Sequence, residues 1–369
     1  MSVSAIFLFI LILLVLVIVH EFGHFIVAKW TGMRVDEFAF GFPPKVFSKK
    51  FGETTYAINA LPLGGYVSIW GENGSEEDKK ENGAKAHPRA FGNRPWWAQL
   101  LVLVAGVTMN MLLALFIFIF ISFGEVTVTS DHEVYGSRIK DVKLMVTDVS
   151  KNSPANMAGI VPGSILTKVT NNGKIADITT ATSLIKFIGM YPNTPFTITF
   201  ISPDKQEKST TIAAVYGIVP DKKALGIGLE TVGKVDATFL EAVSLGYMRT
   251  VDITLLTLEG LVGVVTSAFR GSSVLESLSG PIGIAKIVGQ TSEYGYAAVL
   301  TLVAVLSINL AIFNILPLPA LDGGRIVVVL IETISRRKIP FKYYSWVNVV
   351  GFLLLMLLLV IVTINDIRA

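Results

Sequence analysis

Residues 5–24 read AIFLFILILLVLVIVHEFGH, an unbroken apolar run that ends in a cluster of two histidines and a glutamate. Apolar residues such as Phe22 continue the run through that cluster. A helix of about 20 apolar residues crosses the hydrocarbon core of a bilayer. The stretch therefore predicts a first transmembrane helix over residues 1–28. A secretory signal peptide is the alternative, but residues 1–5 contain no Lys or Arg, and no small-residue cleavage site follows the run.

The composition narrows the class of protein further. The chain has 369 residues, of which 52% are hydrophobic and 16% are charged, whereas soluble domains average about 25% charged residues. The formal net charge of +3 excludes a strongly basic nucleic-acid-binding protein. The sequence contains no Cys, which excludes disulfides, iron–sulfur clusters, thiolate zinc sites and a Cys nucleophile. Any metal site must therefore use His, Asp and Glu side chains.

Three further apolar runs are long enough to cross a bilayer. They predict a second transmembrane helix at 96–123, a third at 297–324 and a fourth at 347–365. The predicted fold is therefore that of a polytopic α-helical membrane protein with four transmembrane helices.

A fifth apolar run, Ile253 to Phe269, differs because Glu259 lies in its middle. A charged side chain at the centre of a bilayer costs about 2.5 kcal/mol or more. We therefore predict an amphipathic helix at the membrane surface, within an outer region of residues 233–296. A membrane-crossing run here would reverse the helix that follows it and place the end of that helix on the other side.

Lys and Arg residues set the predicted orientation. They number ten in residues 29–95 and five in residues 323–346. Because cytosolic loops carry an excess of Lys and Arg, residues 29–95 and the connection 325–346 are predicted to lie in the cytosol. Both chain ends and residues 124–296 then lie on the outer side of the membrane.

The outer stretch has the character of a small soluble domain. Alternating residues at 196–201 indicate a strand, and Asn171-Asn172-Gly173 is typical of a hairpin turn. Residues 180–188 indicate a short helix. Together these patterns predict one extracytoplasmic α+β domain over residues 142–232.

The cytosolic region 29–95 also contains a β pattern. Residues 54–59 alternate in the manner of a strand, and Pro62-Leu63-Gly64-Gly65 follows them. Two adjacent glycines mark a turn or a point of close backbone approach. The pattern predicts a β element associated with the cytosolic face of the membrane.

The chemistry is concentrated in His20-Glu21-Phe22-Gly23-His24, an H-E-x-x-H motif typical of zinc metalloproteases. On a helix, His20 and His24 lie one turn apart on one face, so both imidazoles can bind one Zn²⁺ while Glu21 acts as the general base. A structural pair of packed histidines is the alternative. Ionisable groups on an apolar helix nevertheless indicate a functional site, and a metal would compensate for their burial.

A catalytic zinc needs a third protein ligand at the same membrane depth. Asp322, at the end of the third predicted helix, meets that condition in the four-helix arrangement. An ordinary Asp-Gly turn is the alternative for Asp322-Gly323. Asn110 and Asn314 are polar residues on apolar helices and are candidates for binding substrate or an oxyanion, with interhelical hydrogen bonds as the alternative.

Several motifs resemble the site-2 protease family of zinc intramembrane proteases, in the bacterial branch typified by the regulator of sigma-E protease. The resemblance covers nearly the whole chain. It rests on the following segments: His20-Glu21-Phe22-Gly23-His24, Leu61-Pro62-Leu63-Gly64-Gly65-Tyr66-Val67, Ala105-Gly106 with Asn110, Ser279-Gly280-Pro281-Ile282-Gly283, and Asn314 with Pro317-Leu318-Pro319-Ala320-Leu321-Asp322-Gly323.

The resemblance implies regulated intramembrane proteolysis in the bacterial inner membrane. Its usual substrates are single-span membrane proteins, such as anti-sigma factors, and remnant signal peptides. It implies that His20, His24 and Asp322 bind zinc and that Glu21 is the base. It also implies that Asn314, together with the region of Gly64 and Gly65, contacts substrate.

The outer domain resembles a PDZ domain through Ser153-Pro154-Ala155, Ala158-Gly159-Ile160 and Pro162-Gly163. In this family such domains are thought to screen substrates by the size of their outer parts. Only one such domain is visible, where the best-known member has two. The second-helix motif of the family usually has Pro where this chain has Val107. The resemblance therefore does not predict the helix geometry at this position.

Two other functions compete with proteolysis. A membrane scaffold would capture peptides through the PDZ-like domain and hold a structural metal, but the intact set of Glu21, His20, His24 and Asp322 argues against it. A zinc transporter should carry ionisable groups on several spans, whereas these lie on one span and one span end. The sequence therefore predicts a zinc-dependent intramembrane endoprotease whose active site lies near the cytosolic side.

Overall fold

The computed structural model describes residues 3–72, 88–129, 138–191, 194–219, 222–270 and 279–368. Segments of the predicted cytosolic region (73–87) and of the predicted outer region (130–137 and 271–278) lie outside the described residues. The chain divides into two compact units, one formed by Met1–Phe120 with Leu245–Ala369 and the other by Ile121–Ser244. We call them the membrane unit and, after the side of the membrane that the sequence predicts for it, the outer unit.

The membrane unit contains the long apolar helices α1 (Val3–Trp30), α2 (Trp96–Ile121), α7 (Tyr296–Ile315) and α9 (Phe341–Arg368). Each of these four helices overlaps one of the predicted spans. Two shorter helices accompany them, α6 (Pro281–Ser292) and α8 (Asp322–Ser335). The third apolar helix ends at Ile315, and Asp322 begins a new helix, because two prolines interrupt the hydrogen-bonding pattern between them.

A further helix, α5 (Phe239–Phe269), is also long and apolar enough to cross a membrane. The described residues therefore contain five candidate spans by length and composition, where the sequence predicts four. Within the membrane unit, the Thr257 hydroxyl on α5 donates a 3.0 Å hydrogen bond to Asn309 Oδ1 on α7. Because α5 is itself a candidate span, the predicted count of four is not confirmed.

The β element of the membrane unit consists of β1 (Val35–Phe51) and β2 (Thr54–Ile69). Register shifts let β1 pair with β2 three times. Residues 35–40 pair with 65–69, residues 37–40 also pair with 55–58 on their other edge, and residues 45–51 pair with 54–59. The sheet packs on α1, where the Phe25 ring lies 5.3 Å from the Phe38 ring, centroid to centroid. The predicted β structure is thus present and lies directly against the helix that carries the H-E-x-x-H motif.

Helix α9 is anchored through Asp366, a buried residue near its end. The Asp366 carboxylate accepts hydrogen bonds from the backbone N–H groups of Gly280 (3.1 Å) and Gly283 (2.7 Å) at the beginning of α6. The first turn of a helix leaves such N–H groups without intrahelical partners and favours a negative charge. The end of α9 therefore caps α6.

The outer unit is built on a sheet in the order β3-β11-β4-β5-β7-β8, with β6 paired to β5. The strands are β3 (Gly124–Thr129), β4 (Lys140–Val149), β5 (Ile165–Asn171), β6 (Lys174–Asp177), β7 (Phe196–Ile201), β8 (Glu207–Ile212) and β11 (Ile227–Ala237), with a separate pair β9 (Val215–Val219) and β10 (Lys222–Ala224). Helices α3 (Pro154–Met157) and α4 (Ala181–Met190) complete the unit.

Alternating side chains of this sheet form the core of the outer unit. Leu144, Val146, Leu166, Ile198 and Phe200 are all buried there. The predicted hairpin turn is present, since Asn172 and Gly173 both have positive φ between β5 and β6. The predicted strand at 196–201 is β7, and the predicted short helix is α4, which Thr180 caps by accepting from the Ser183 N–H.

Ion pairs at the end of α1 secure the β element. Glu53 accepts hydrogen bonds from Lys29 at 2.6 Å and from Arg89 at 2.8 Å. Arg89 also donates to the Gly32 carbonyl at 3.1 Å. Hydrogen bonds from Arg89 and then Lys29 lower the pKa of Glu53 to about 2.

This lowered pKa predicts a pH-dependent contribution to stability. Ionised Glu53 stabilises the folded state fully above its unfolded pKa of about 4.5, and the contribution is lost as the pH falls toward 2. The melting temperature of the detergent-solubilised wild type should therefore fall more steeply below about pH 4.5 than that of Glu53→Gln. Glu207→Gln, which changes an exposed residue of β8, serves as the control. Equal slopes for wild type and Glu53→Gln would contradict the assignment.

Candidate metal centre

Three side chains with metal-binding atoms converge inside the membrane unit. His20 and His24 lie one turn apart on α1 and are buried, and Asp322 is the first residue of α8. His20 Nε2 lies 3.1 Å from Asp322 Oδ2, His24 Nε2 lies 3.3 Å from the same oxygen, and the two Nε2 atoms are 3.2 Å apart. The predicted third residue is thus brought to both histidines from far along the chain.

These separations fit a shared metal ion. Zinc binds imidazole nitrogen and carboxylate oxygen at about 2.0–2.2 Å with tetrahedral geometry, so neighbouring ligand atoms lie about 3.3 Å apart. The three donor atoms of this cluster all lie within 4.8 Å of one another. Two imidazoles and one carboxylate are also a ligand set typical of catalytic zinc, which leaves a fourth position open.

Gly106 on α2 provides the space for this cluster. A Cβ atom at position 106 would lie 2.4 Å from His24 Nε2 and 2.7 Å from His20 Cε1. Both distances are far below van der Waals contact, so even an alanine would displace the imidazoles. The absence of a side chain at this position therefore lets α2 approach both histidines.

The same face of α2 contacts the other nitrogen of each ring. His24 Nδ1 donates to the Val102 carbonyl at 2.8 Å, and the Asn110 amide lies 3.2 Å from His20 Nδ1. Val102, Gly106 and Asn110 are spaced by four residues, so they form one stripe along the helix. This stripe faces the two histidines, which are themselves spaced by four.

The structure places Asn110 behind His20 rather than on a surface that substrate could reach. Asn110 has no exposed surface, and it is absent from the wall of the adjacent cavity. The sequence-based expectation that it binds substrate or an oxyanion therefore lacks an accessible surface. The alternative expectation, a hydrogen bond between helices, agrees with its contact to His20.

Asp322 is held in place by the break between α7 and α8. At Gly323 a Cβ atom would lie 2.2 Å from the Ile315 and Leu316 carbonyl oxygens, so the chain turns back tightly just after Asp322. One turn further along α8, Arg325 forms an ion pair with Glu72 and donates to the Glu72 carbonyl at 2.9 Å. This pair links α8 to the end of β2.

A cavity of about 400 Å³ opens beside the three donor atoms. Glu21 lines it, and so does Asn314, whose Nδ2 lies 3.4 Å from His20 Nε2. The lining also includes Gly64, Gly65 and strand residues that follow them. Within the described part of the chain, residues 65–69 pair with β1 along one edge only, which leaves their other edge open.

Gly65 brings this strand close to Glu21. A Cβ atom at position 65 would lie 2.9 Å from Val17 Cγ1 and 3.4 Å from Glu21 Cγ. The backbone of β2 thus passes beside the carboxylate that the sequence identifies as the base. All the sequence-predicted site residues except Asn110 line one cavity.

The sequence analysis named Gly106 only as part of a motif and did not predict its contact with the histidines. It missed Val102 and the pair of Glu72 with Arg325 altogether. A backbone carbonyl gives no signal in a sequence, so Val102 could not have been found. The spacing of Gly106 and Asn110 by four residues, matching that of His20 and His24, was a signal for the stripe on α2.

Comparisons with known proteins show the family to which the chain belongs. The family model described as Peptidase family M50 matches residues 8–358. A provisionally named zinc metalloprotease of Clostridium perfringens is 34% identical over 351 residues, covering 95% of each chain. A similarly named protein of Fusobacterium nucleatum is 33% identical, again over 95% of each chain.

A relative with a more specific name is the regulator of sigma-W protease RasP of Bacillus subtilis. It is 28% identical over 441 residues, covering 100% of this chain and 99% of its own. The match to the family model spans nearly the whole chain, and the relatives are covered almost end to end. The chain therefore belongs to peptidase family M50, the site-2 protease family of zinc-dependent metalloproteases.

Proposed function

We propose that this metalloprotease cleaves peptide bonds within the membrane-spanning segments of single-span proteins, with His20, His24 and Asp322 as its zinc ligands. The observation that carries the proposal is the meeting of their three donor atoms beside Glu21, between long apolar helices. The name of the RasP relative, a regulator of a sigma factor, supports anti-sigma factors as a substrate class. Remnant signal peptides are a second class with the same single-span form.

The position of the site along α1 supports cleavage inside the bilayer. His20 follows fifteen apolar residues that begin at Ala5, and these rise about 22 Å along a helix. The hydrocarbon core of a bilayer is about 30 Å thick. With the beginning of α1 on the outer side, the donor atoms lie within the membrane and nearer the cytosol.

The metal and the side chains of the protein contribute different parts of the proposed reaction. Zinc supplies Lewis-acid chemistry to a site of this kind. Glu21 takes a proton from the attacking water and then delivers it to the amine that leaves. Asn314 lies beside the donor atoms on the cavity wall, where its amide can hold the substrate backbone.

The open edge of residues 65–69 supports a way of presenting the substrate. A transmembrane helix hides its peptide bonds, because each carbonyl is bonded within the helix. An unwound segment that adds to the open strand edge would replace those bonds and lie extended across the cavity. Gly64 and Gly65 would then contact the substrate backbone next to Glu21.

The remaining proposals concern placement and partners. In this proposal the protein is a multi-pass protein of the bacterial inner membrane, with both chain ends and the outer unit outside the cytosol. The Lys and Arg residues of 29–95 and 325–346 support this orientation. The outer unit is proposed to act as a PDZ-like domain that contacts peptides or the outer segments of substrates.

Replacing Glu21 tests the proposed base. Glu21→Gln keeps the size of the side chain but cannot accept the proton, so turnover of a single-span substrate should fall by about 10²–10⁴-fold. Zinc content should stay at the wild-type level, because Glu21 is not a proposed ligand. Cleavage by purified protein in detergent and metal content should be measured on the same samples. A Glu21→Gln protein that cleaves at the wild-type rate would refute the assignment.

Replacing Gly106 tests the geometry of the metal centre. Gly106→Ala puts a methyl group against both imidazoles, so zinc affinity should weaken on the order of 100-fold. Chelator competition measures this affinity without any substrate. Gly260→Ala is the matched control, because a Cβ at that position on α5 meets no atom within 4 Å. Unchanged affinity in Gly106→Ala would show that zinc is not held between these histidines.

Replacing Gly65 tests substrate presentation. Gly65→Ala should displace the strand from Glu21 and lower kcat/KM by about 10- to 100-fold, while zinc affinity stays unchanged. Gly92→Ala, where a Cβ also meets nothing within 4 Å, should remain near the wild type. Loss of zinc together with activity in Gly65→Ala would instead make position 65 part of the metal centre.

A further inference from the structure

The side chain of Asn110 has no part in the proposed reaction, yet it lies in a buried and only partly satisfied environment. Its side chain is fully buried between helices, and its Nδ2 atom lies 3.2 Å from His20 Nδ1. Its Oδ1 atom is also buried and has no hydrogen-bond partner among the described residues. A buried amide oxygen without a donor is costly, by about 1–3 kcal/mol, so this oxygen calls for a partner.

The ring of His20 supplies a donor that fits. His20 Nε2 is the atom that faces Asp322 and His24, so it must offer a lone pair if it binds the metal. The proton of the neutral ring then sits on Nδ1, which needs an acceptor. His24 already has this arrangement, because its Nδ1 donates to the Val102 carbonyl. For His20, the group that lies beside Nδ1 is the Asn110 amide.

We propose that Asn110 is a positioning residue that fixes the metal-binding form of His20. With metal bound, the side-chain amide of Asn110 is flipped by half a turn about its Cβ–Cγ bond. Oδ1 then accepts from the Nδ1–H of His20, and Nδ2 occupies the former position of Oδ1. This contact holds the proton on Nδ1, keeps the Nε2 lone pair free and fixes the plane of the ring. The inference rests on the proposed role of His20 as a zinc ligand.

The surroundings of Asn110 are rigid enough for this role. Ser307 on α7 donates a 2.8 Å hydrogen bond to the Asn110 backbone carbonyl, and both residues have no exposed surface. This bond ties α2 to α7 at the level of His20. The amide is therefore placed by two helices, and its position does not depend on substrate.

Zinc affinity measured by chelator competition, in purified full-length protein without substrate, tests the proposal. Asn110→Leu has a similar size but no acceptor, so its affinity should fall by about 10- to 100-fold. Asn110→Asp keeps an acceptor oxygen and should bind at least as tightly as the wild type. Gln99→Met is the matched control, since Gln99 is a buried amide on the same helix that donates to the Arg94 carbonyl, and its affinity should not change.

A second readout separates positioning from a general loss of structure. Co²⁺ in place of zinc reports ligand geometry through its visible absorption bands, which should shift in Asn110→Leu and be restored in Asn110→Asp. If Asn110→Leu does not fold, Asn110→Ala, which is smaller and also lacks an acceptor, takes its place. Unchanged affinity and unchanged Co²⁺ bands in the acceptor-free variant would overturn the proposal. A fall in activity alone would assign Asn110 to substrate or oxyanion binding instead.

His20→Ala, measured alongside, separates this inference from the proposed ligand set. If His20→Ala binds zinc as tightly as the wild type, the assignment of His20 as a ligand fails, and the role of Asn110 fails with it. If His20→Ala loses zinc while Asn110→Leu retains it, only the inference about Asn110 fails.

Discussion

The contact between α1 and one face of α2 is the interaction on which the metal centre depends. Two imidazoles lie buried among apolar helices, where an unpaired polar group is costly. Helix α2 meets this requirement with a stripe of three positions that share the spacing of the histidines. Val102 offers a backbone acceptor, Gly106 offers space and Asn110 offers an amide. A change of register between these helices would remove all three contacts together.

The rest of the membrane unit brings the other parts of the site to that contact. The interruption between α7 and α8 places Asp322 against the histidines, and irregular backbone at this depth requires a surrounding of protein or a water-filled cavity. Such a cavity is present, and it is the space in which hydrolysis could occur. The ion pair of Arg325 with Glu72 connects the helix of the third ligand to the strand beside the cavity. This ion pair therefore connects the metal centre to the strand that has the open edge.

For helix α5, the charge of Glu259 and the length of the helix lead to different expectations for its position relative to the bilayer. Glu259 makes a central position in the membrane costly, yet the helix extends from Phe239 to Phe269 and contacts α7 through Thr257. The composition of the run is compatible with a position within the bilayer and with one at its surface. The hydrogen bond from Thr257 to Asn309 places this part of α5 beside α7, and Glu259, two residues further along, remains exposed.

The sequence by itself determined the apolar helices, the H-E-x-x-H motif and the chemistry class predicted for the site, because these depend on local periodicity and residue type. It also predicted Asp322 as a candidate third ligand, and the structure brings this residue to both histidines. Tertiary structure alone decided that α8 begins at Asp322, that Val102 supplies a carbonyl, and that Asn110 lies behind His20 instead of facing the cavity. These features depend on which faces of distant helices meet and at what register, and the sequence of one helix does not contain that information.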